Sequence, residues 1–194
     1  MTNLITKSTA RQFTAALSNA GIKHDSVETR KIPAYEPIPA GTNYELGCRF
    51  HNLLLRIRDR SAMSPEEKEL LPWLNEVRQA LRDQGVAFFE PEVSLSSDCG
   101  LPGGRCDLLL HCDQRAPSSV GVAEIKICDS LPEDARPADL LQVAGYSAHA
   151  ANAFSGLSPW TVVVYVSFRS RRIRLFTHQS SKGLRRAALA LLAA

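Results

Sequence analysis

Apolar positions recur along this chain with two different periods, and each change of period marks a change of element. From Val86 to Cys128 the period is two. Val86 to Leu95, Gly104 to Cys112 and Val120 to Cys128 each read as a strand, joined by Gly/Pro/Ser-containing segments that suit antiparallel hairpins, including the turn Leu101-Pro-Gly-Gly104. The third run, Val120-Gly-Val-Ala-Glu-Ile-Lys-Ile-Cys128, is apolar almost throughout, as a strand buried on both faces is. Trp160 to Phe168 predicts another buried strand, and Arg171 to Thr177 a partner for it. Helical spacing holds elsewhere. Thr42-x-x-Glu45 is a capping box ahead of a helix whose buried stripe is Leu46, Phe50, Leu53, Leu54 and Ile57, so Glu45 reads as a cap rather than a catalytic acid. Ser64-Pro65-Glu66-Glu67 opens a second helical stretch to about Gln84, with Pro72 placed to kink or divide it. Pro137 to about Phe154 and Gly183 to Ala194 predict two more helices. The fold class that results is α/β (α+β), with helices flanking a mixed central sheet.

Residues 1–42 read as an arm: a short helix from about Thr9 to Asn19 ending at Gly21, then a Pro-rich extended run from Lys31 to Gly41. Such an arm can pack on the core, gate a cleft or bind a protein partner, and the default expectation is a packed or loose extension. Residues 43–194 are expected to form one domain, since 194 residues with 44% hydrophobic content suffice for a single sizeable core. No run approaches the ~20 apolar residues that span a bilayer, and the first residues lack a secretory segment, so the expectation is a cytoplasmic protein with no membrane partner. Five cysteines, an odd number without a Cys-x-x-Cys pair, suit reduced thiols.

Charge is unevenly distributed. The last 55 residues hold no acid and seven basic residues (Arg169, Arg171, Arg172, Arg174, Lys182, Arg185 and Arg186), which leaves −4 for the first 139 out of +3 overall. That basic stretch offers a phosphate-binding surface, with affinity that falls as salt rises, or else it is a solvated turn and helix.

The chemistry concentrates between Asp107 and Tyr146. Glu124 and Lys126 interrupt the apolar strand, and alternation points both to one face, with Ala123, Ile125 and Ile127 on the other. Charged groups rarely occupy such positions without partners. On the preceding strand Asp107, Leu109 and His111 share one face, and Cys106, Leu108 and Leu110 the other. If the two strands are neighbours, Asp107 and Glu124 converge, and bare carboxylates about 4 Å apart repel by roughly 4 kcal/mol at an effective dielectric near 20. A divalent cation removes that conflict. Hard oxygen ligands suit Mg2+ or Mn2+. Glu92 is a further carboxylate nearby, expected at the surface, and His111 at most supports the site from outside it. Gln142 and Tyr146 lie one turn apart on one face of their helix.

The order Asp107, then Glu124-Ile-Lys126, then Gln142-x-x-x-Tyr146, with Gly47-x-x-x-His51 on an upstream helix, resembles the PD-(D/E)XK nuclease superfamily, in particular its RecB-like branch, which includes the CRISPR-associated exonucleases. The similarity covers roughly residues 43 to 168, and Cys106 stands where the superfamily's name has Pro. It implies a restriction-endonuclease-like core. It implies Asp107 and Glu124 as metal ligands, His51 as a third, the backbone carbonyl of Ile125 as a fourth, and Lys126 as the group that positions or activates the attacking water. An imidazole ligand leans toward manganese. In such nucleases the residues matching Gln142 and Tyr146 contact nucleic acid or brace the catalytic strand. Some relatives hold an iron-sulfur cluster through C-terminal cysteines. This chain has no cysteine after Cys128, so no cluster is expected.

No Gly-x-x-x-x-Gly-Lys-Ser/Thr, Gly-x-Ser-x-Gly or His-Glu-x-x-His is present. The expectation is therefore a metal-dependent deoxyribonuclease, an exonuclease or end-processing enzyme, with Arg169, Arg171 and Arg172 as candidate DNA contacts. The alternatives are an endonuclease and a non-catalytic nucleic-acid-binding or adaptor protein of the same fold.

Overall fold

A computed structural model describes residues 6–19, 21–33, 36–96, 103–112, 119–154, 157, 159–179 and 182–192. Cys99, most of the Leu101–Gly104 turn and the connection after Cys112 lie outside the described residues. Among those described, the elements run α1 (Lys7–Asn19), β1 (Ser26–Lys31), α2 (Asn43–Arg58), α3 (Pro65–Lys68), α4 (Leu71–Asp83), β2 (Phe88–Leu95), β3 (Gly104–Cys112), β4 (Ser119–Ile127), α5 (Pro137–Ala153), β5 (Trp160–Ser167), β6 (Arg172–His178) and α6 (Lys182–Leu192). The helical stretch after Ser64 is divided rather than kinked, with Pro72 in the first turn of α4, where its missing N–H leaves no bond unmade.

Six strands form one mixed sheet in the order β1-β6-β5-β4-β3-β2, antiparallel throughout except for the parallel pair β4 and β5. That exception follows from α5, because only a crossover carries the chain back to start a parallel strand. Helices cover both faces. Leu46, Phe50, Leu53 and Leu54 of α2 and Trp73, Leu74 and Val77 of α4 pack with Leu108, Leu110, Ala123 and Val164 on one side. Leu141, Val143 and Ala144 of α5, Phe13 and Leu17 of α1 and Leu184 of α6 pack with Leu109, Val122, Val163 and Phe176 on the other. The segment read as an arm thus enters the fold: β1 pairs with β6 at the sheet edge, and α1 buries Phe13. The β1 strand was not foreseen, because Ser26-Val-Glu-Thr-Arg-Lys31 has one aliphatic residue and little to mark a strand until β6 supplies the hydrogen bonds.

Gly121 pairs with Trp160 across β4 and β5, and a Cβ there would lie 2.7 Å from the buried indole. Gly121→Ala is expected to cost about 1–3 kcal/mol of stability through overpacking. A melting temperature equal to that of the parent would show that the indole has room to move aside.

The features that build the site lie where the sheet opens. β3 and β4 are paired from Leu108↔Ala123 to Cys112↔Ser119, but no further toward Asp107. Beyond that point the strands part, while β4 remains paired to β5 as far as Ile127↔Val166. On the other side of β3 the register steps from Pro91↔Leu108 to Val93↔Cys106, so Glu92 falls opposite Asp107, out of the ladder, with a φ of 55°. A non-glycine residue there is sparsely populated and costs of order 1–3 kcal/mol. Alternation in β3 also breaks here. Cys106 was expected on the face of Leu108 and Leu110, but it packs with Leu109 on the α5 side.

Candidate metal centre

Three acids are buried around this opening. Glu92, Asp107 and Glu124 are 3%, 3% and 4% exposed. Glu92 is opposite Asp107 on one neighbouring strand, and the β3–β4 register, continued by one residue, puts Glu124 opposite Asp107 on the other. The expectation of a surface Glu92 is corrected: the left-handed backbone turns it inward, where Nδ1 of His51 lies 2.8 Å from its Oε1 and Nε of Arg105 2.7 Å from its Oε2. Pairing with two cationic groups is what makes that burial tolerable.

His51 comes from α2. Its Nδ1 also lies 3.3 Å from Oδ1 of Asp107, and among the described residues His51, Glu92 and Asp107 present ligand atoms all within 4.8 Å of one another. Ligands about 2.0–2.6 Å from one ion are spaced by up to roughly twice that distance, so the three can share a cation. Without one, a proton takes its place. The hydrogen bond to Glu92, opposed by burial and reinforced by the charge of Asp107, pushes His51 up to about 9. Glu92→Gln is expected to bring the His51 pKa back toward 6.5, as read from imidazole NMR shifts against pH. An unchanged titration would contradict the pairing.

The Glu124 side of the centre is arranged differently. Its Oε1 accepts from Nζ of Lys126 at 2.9 Å and from Nε2 of Gln142 at 2.8 Å, while its Oε2 is buried and has no hydrogen-bond donor among the described residues. Oδ2 of Asp107 accepts the backbone N–H of Ile125 across the gap at 2.7 Å. On a strand the N–H and C=O of one residue face the same way, so the Ile125 carbonyl is also directed at the gap. Burial raises the pKa of both Asp107 and Glu124. For Glu124 the neighbouring Asp107 charge adds to the rise, and for Asp107 His51 and the Ile125 N–H oppose it. The chemistry of this donor set, hard oxygens with one orphaned and two confined carboxylates whose ionisation burial opposes, fits a divalent cation.

Lys126 is held from two sides. Its Nζ donates to Glu124 and, at 2.8 Å, to Oε1 of Gln142. Burial pulls the ammonium pKa down, but the Glu124 charge and hydrogen bond outweigh it, and the net change is upward. Gln142 Nε2 donates in addition to the Tyr146 hydroxyl at 3.1 Å, and burial raises that phenol, with the Glu124 charge adding. Both Gln142 and Tyr146 are 3% exposed. Their side chains brace Glu124 and Lys126 from α5, and that inward position removes them from direct contact with a polymer. Cys106 behind Asp107 is a thiol made inert by burial, the two acid charges raising its pKa further.

Compared with known proteins, the chain matches no family model and no curated sequence.

The remaining candidates lie elsewhere. Glu45 caps α2, with Oε2 accepting the Thr42 N–H at 2.8 Å and Thr42 Oγ1 accepting the Glu45 N–H at 3.3 Å. His111 bonds Glu90 at 2.7 Å and stacks on Phe88. Arg169 and Arg172 are exposed at the β5–β6 turn, whereas Arg171 is spent on the carbonyls of Pro33 and Glu36. Arg174 and Arg185 likewise donate to the carbonyls of Pro132 and Pro159, so much of the C-terminal positive charge is structural. Among the described residues, Arg58 and Arg105 reach Glu92, Arg58 through its carbonyl at 3.2 Å and Arg105 through its carboxylate. Reading the sequence alone missed both. Arg105 lies two positions before Asp107, a signal in plain view, but Arg58 becomes visible only once α2 is packed against β2.

Proposed function

We propose that the chain is a metal-dependent nuclease that hydrolyses DNA phosphodiester bonds, an exonuclease or end-processing enzyme of the PD-(D/E)XK type with a RecB-like site. One observation carries this reading: the buried Oε2 of Glu124 has no donor among the described residues, although Asp107 lies close enough to raise the Glu124 pKa. An unsatisfied buried oxygen of this kind costs about 1–3 kcal/mol, more when charged, and it persists where a ligand offsets it.

Mg2+ or Mn2+ held by Asp107, Glu124 and the Ile125 carbonyl, with His51 and Glu92 alongside, would polarise a phosphoryl oxygen and acidify a water. The chain's own groups do the rest. Lys126, 22% exposed, keeps its ammonium anchored by Glu124 and Gln142 while one N–H remains to hold an incoming water in line with phosphorus. The same charge stabilises the negative charge that accumulates as water attacks. Tyr146 holds the Gln142 amide, so the Lys126 position survives substrate entry. Half-exposed Arg58 and Arg105 provide positive charge at the rim for phosphates flanking the reacting one. Imidazole among the ligands tilts the preference toward Mn2+.

The test incubates linear and circular DNA, single- and double-stranded, with Mg2+, with Mn2+ and with chelator. Metal-dependent loss of linear substrate with circles intact is the expected result, and cut circles would mean an endonuclease. Salt-sensitive binding without cutting under any condition would replace this reading with a nucleic-acid-binding adaptor.

A further inference from the structure

A pocket of about 250 Å³ adjoins the metal centre and shares His51, Ile125 and Lys126 with it. One wall is a stripe of α2, Asn43, Tyr44, Gly47, Cys48 and His51, brought together by the i, i+3 and i+4 spacing of a helix, and the other is Ile125 to Ile127 at the end of β4. Two features of these walls have no role in holding the fold. Tyr44 is a large aromatic left 81% exposed at the end of the stripe. Gly47 lies in mid-helix, where glycine is destabilising by roughly 1 kcal/mol relative to alanine, yet a Cβ there would meet only Ile127 Cγ1, at an ordinary 3.8 Å. Packing therefore does not require glycine at 47. What a side chain would remove is space inside the pocket.

We infer that this pocket is a nucleoside subsite, taking one unpaired base of a single-stranded nucleic acid against Tyr44 while the adjoining phosphate reaches the acids and Lys126. The inference rests on the nuclease reading and adds the class of substrate. Continuity argues for this occupant: a nucleotide whose phosphate is at Lys126 must put its sugar and base within one residue's reach, and the pocket is the concave surface that begins there. Size argues for a single base, since the volume falls below the 300–1,000 Å³ of ordinary drug-sized sites. The lining argues against sequence reading. Apart from His51 and Lys126 at the centre, its polar side chains are Asn43, Cys48 and the Tyr44 hydroxyl, so the base is accepted by stacking and apolar contact, which every base supports. A paired base must leave its duplex to enter, and the unpairing energy biases the site toward single strands and frayed ends.

The experiment titrates the full chain into a short oligothymidylate carrying a terminal 2-aminopurine, with Ca2+ as a hard cation for oxygen ligands, and follows anisotropy and base fluorescence together. Expected are quenching by the parent protein, retained quenching with Tyr44→Phe, its loss with Tyr44→Ala, and about tenfold weaker binding for Tyr44→Ala. Gly47→Leu should weaken binding at least as much while its helical circular dichroism and melting temperature hold or rise, and a blunt hairpin of the same length should bind less well than the single strand. Equal binding and quenching by parent, Tyr44→Ala and Gly47→Leu would overturn the subsite and leave the nuclease reading standing. Failure of the parent to bind any oligonucleotide would overturn both.

Discussion

Lys126→Ala is expected to lower metal-dependent DNA cleavage by about 10²- to 10⁴-fold, the range associated with one positioned proton-handling group. The fold should survive. Removing the ammonium takes one donor from Glu124 Oε1 but leaves the Gln142 amide in place, and a carboxyl already driven upward by burial and by Asp107 can then hold its proton. That proton would replace the lost charge and donate a hydrogen bond, so the melting temperature should move much less than the rate. A kcat that falls with KM nearly unchanged would point to a group acting on the reacting atoms. Full activity in the variant, with the parent's dependence on metal, would end the nuclease assignment.

Metal-free protein is expected to lose stability as the pH rises from about 6 to 9, and added Mn2+ should restore it most at the alkaline end. Burial holds Asp107 and Glu124 above the ordinary carboxylate range, the Asp107 charge adding for Glu124, and the hydrogen bond to Glu92 holds His51 up to about 9 from 6.5. Each binds its proton more tightly folded than unfolded. Their contribution is therefore complete below the unfolded values and is lost as pH climbs through the folded ones. His51, with a side chain 43% exposed, contributes less than a fully buried group with the same shift would. His178 acts in the other direction: burial lowers it to about 4 from 6.5, so its contribution is present above 6.5 and is lost as pH falls toward 4. The metal-free protein should thus be most stable in mildly acidic solution. A cation that displaces the protons of the acid cluster reverses the alkaline loss and releases protons as it binds. Melting temperatures across this range, with and without Mn2+, check both limbs. A flat metal-free profile from pH 6 to 9, or an Mn2+ effect equal at both ends, would mean that protons do not stand in for a metal here.

How far the site could be read in advance differs from residue to residue. Glu124 and Lys126 were legible because a period-two strand makes a charged pair on an apolar run conspicuous, and both do face α5 as that parity requires. Gln142 and Tyr146 were legible by helical spacing, but whether they face nucleic acid or the protein interior depended on the side of α5 that met β4. Glu92 was misjudged as a surface acid. Nothing local to Phe89-Glu-Pro-Glu-Val-Ser-Leu95 announces a left-handed backbone or an arginine and a histidine waiting for its carboxylate. The C-terminal arginines mislead in the opposite sense, for a cluster of charges in the sequence says nothing about how many are spent on backbone carbonyls.

Periodicity and capping residues, both local, were enough to assign most strands and helices, the α+β class, the helix starting at Thr42 and the face shared by Glu124 and Lys126. Tertiary structure alone decided that β1 completes the sheet, that β3 and β4 part at Asp107, and that Glu92 joins His51 and Asp107 there. The division has a physical basis. Side-chain direction along a strand or helix follows from backbone geometry within a few residues, whereas the meeting of α2, β2, β3 and β4 at one point depends on register and packing between residues as far apart as His51 and Glu124, 73 positions.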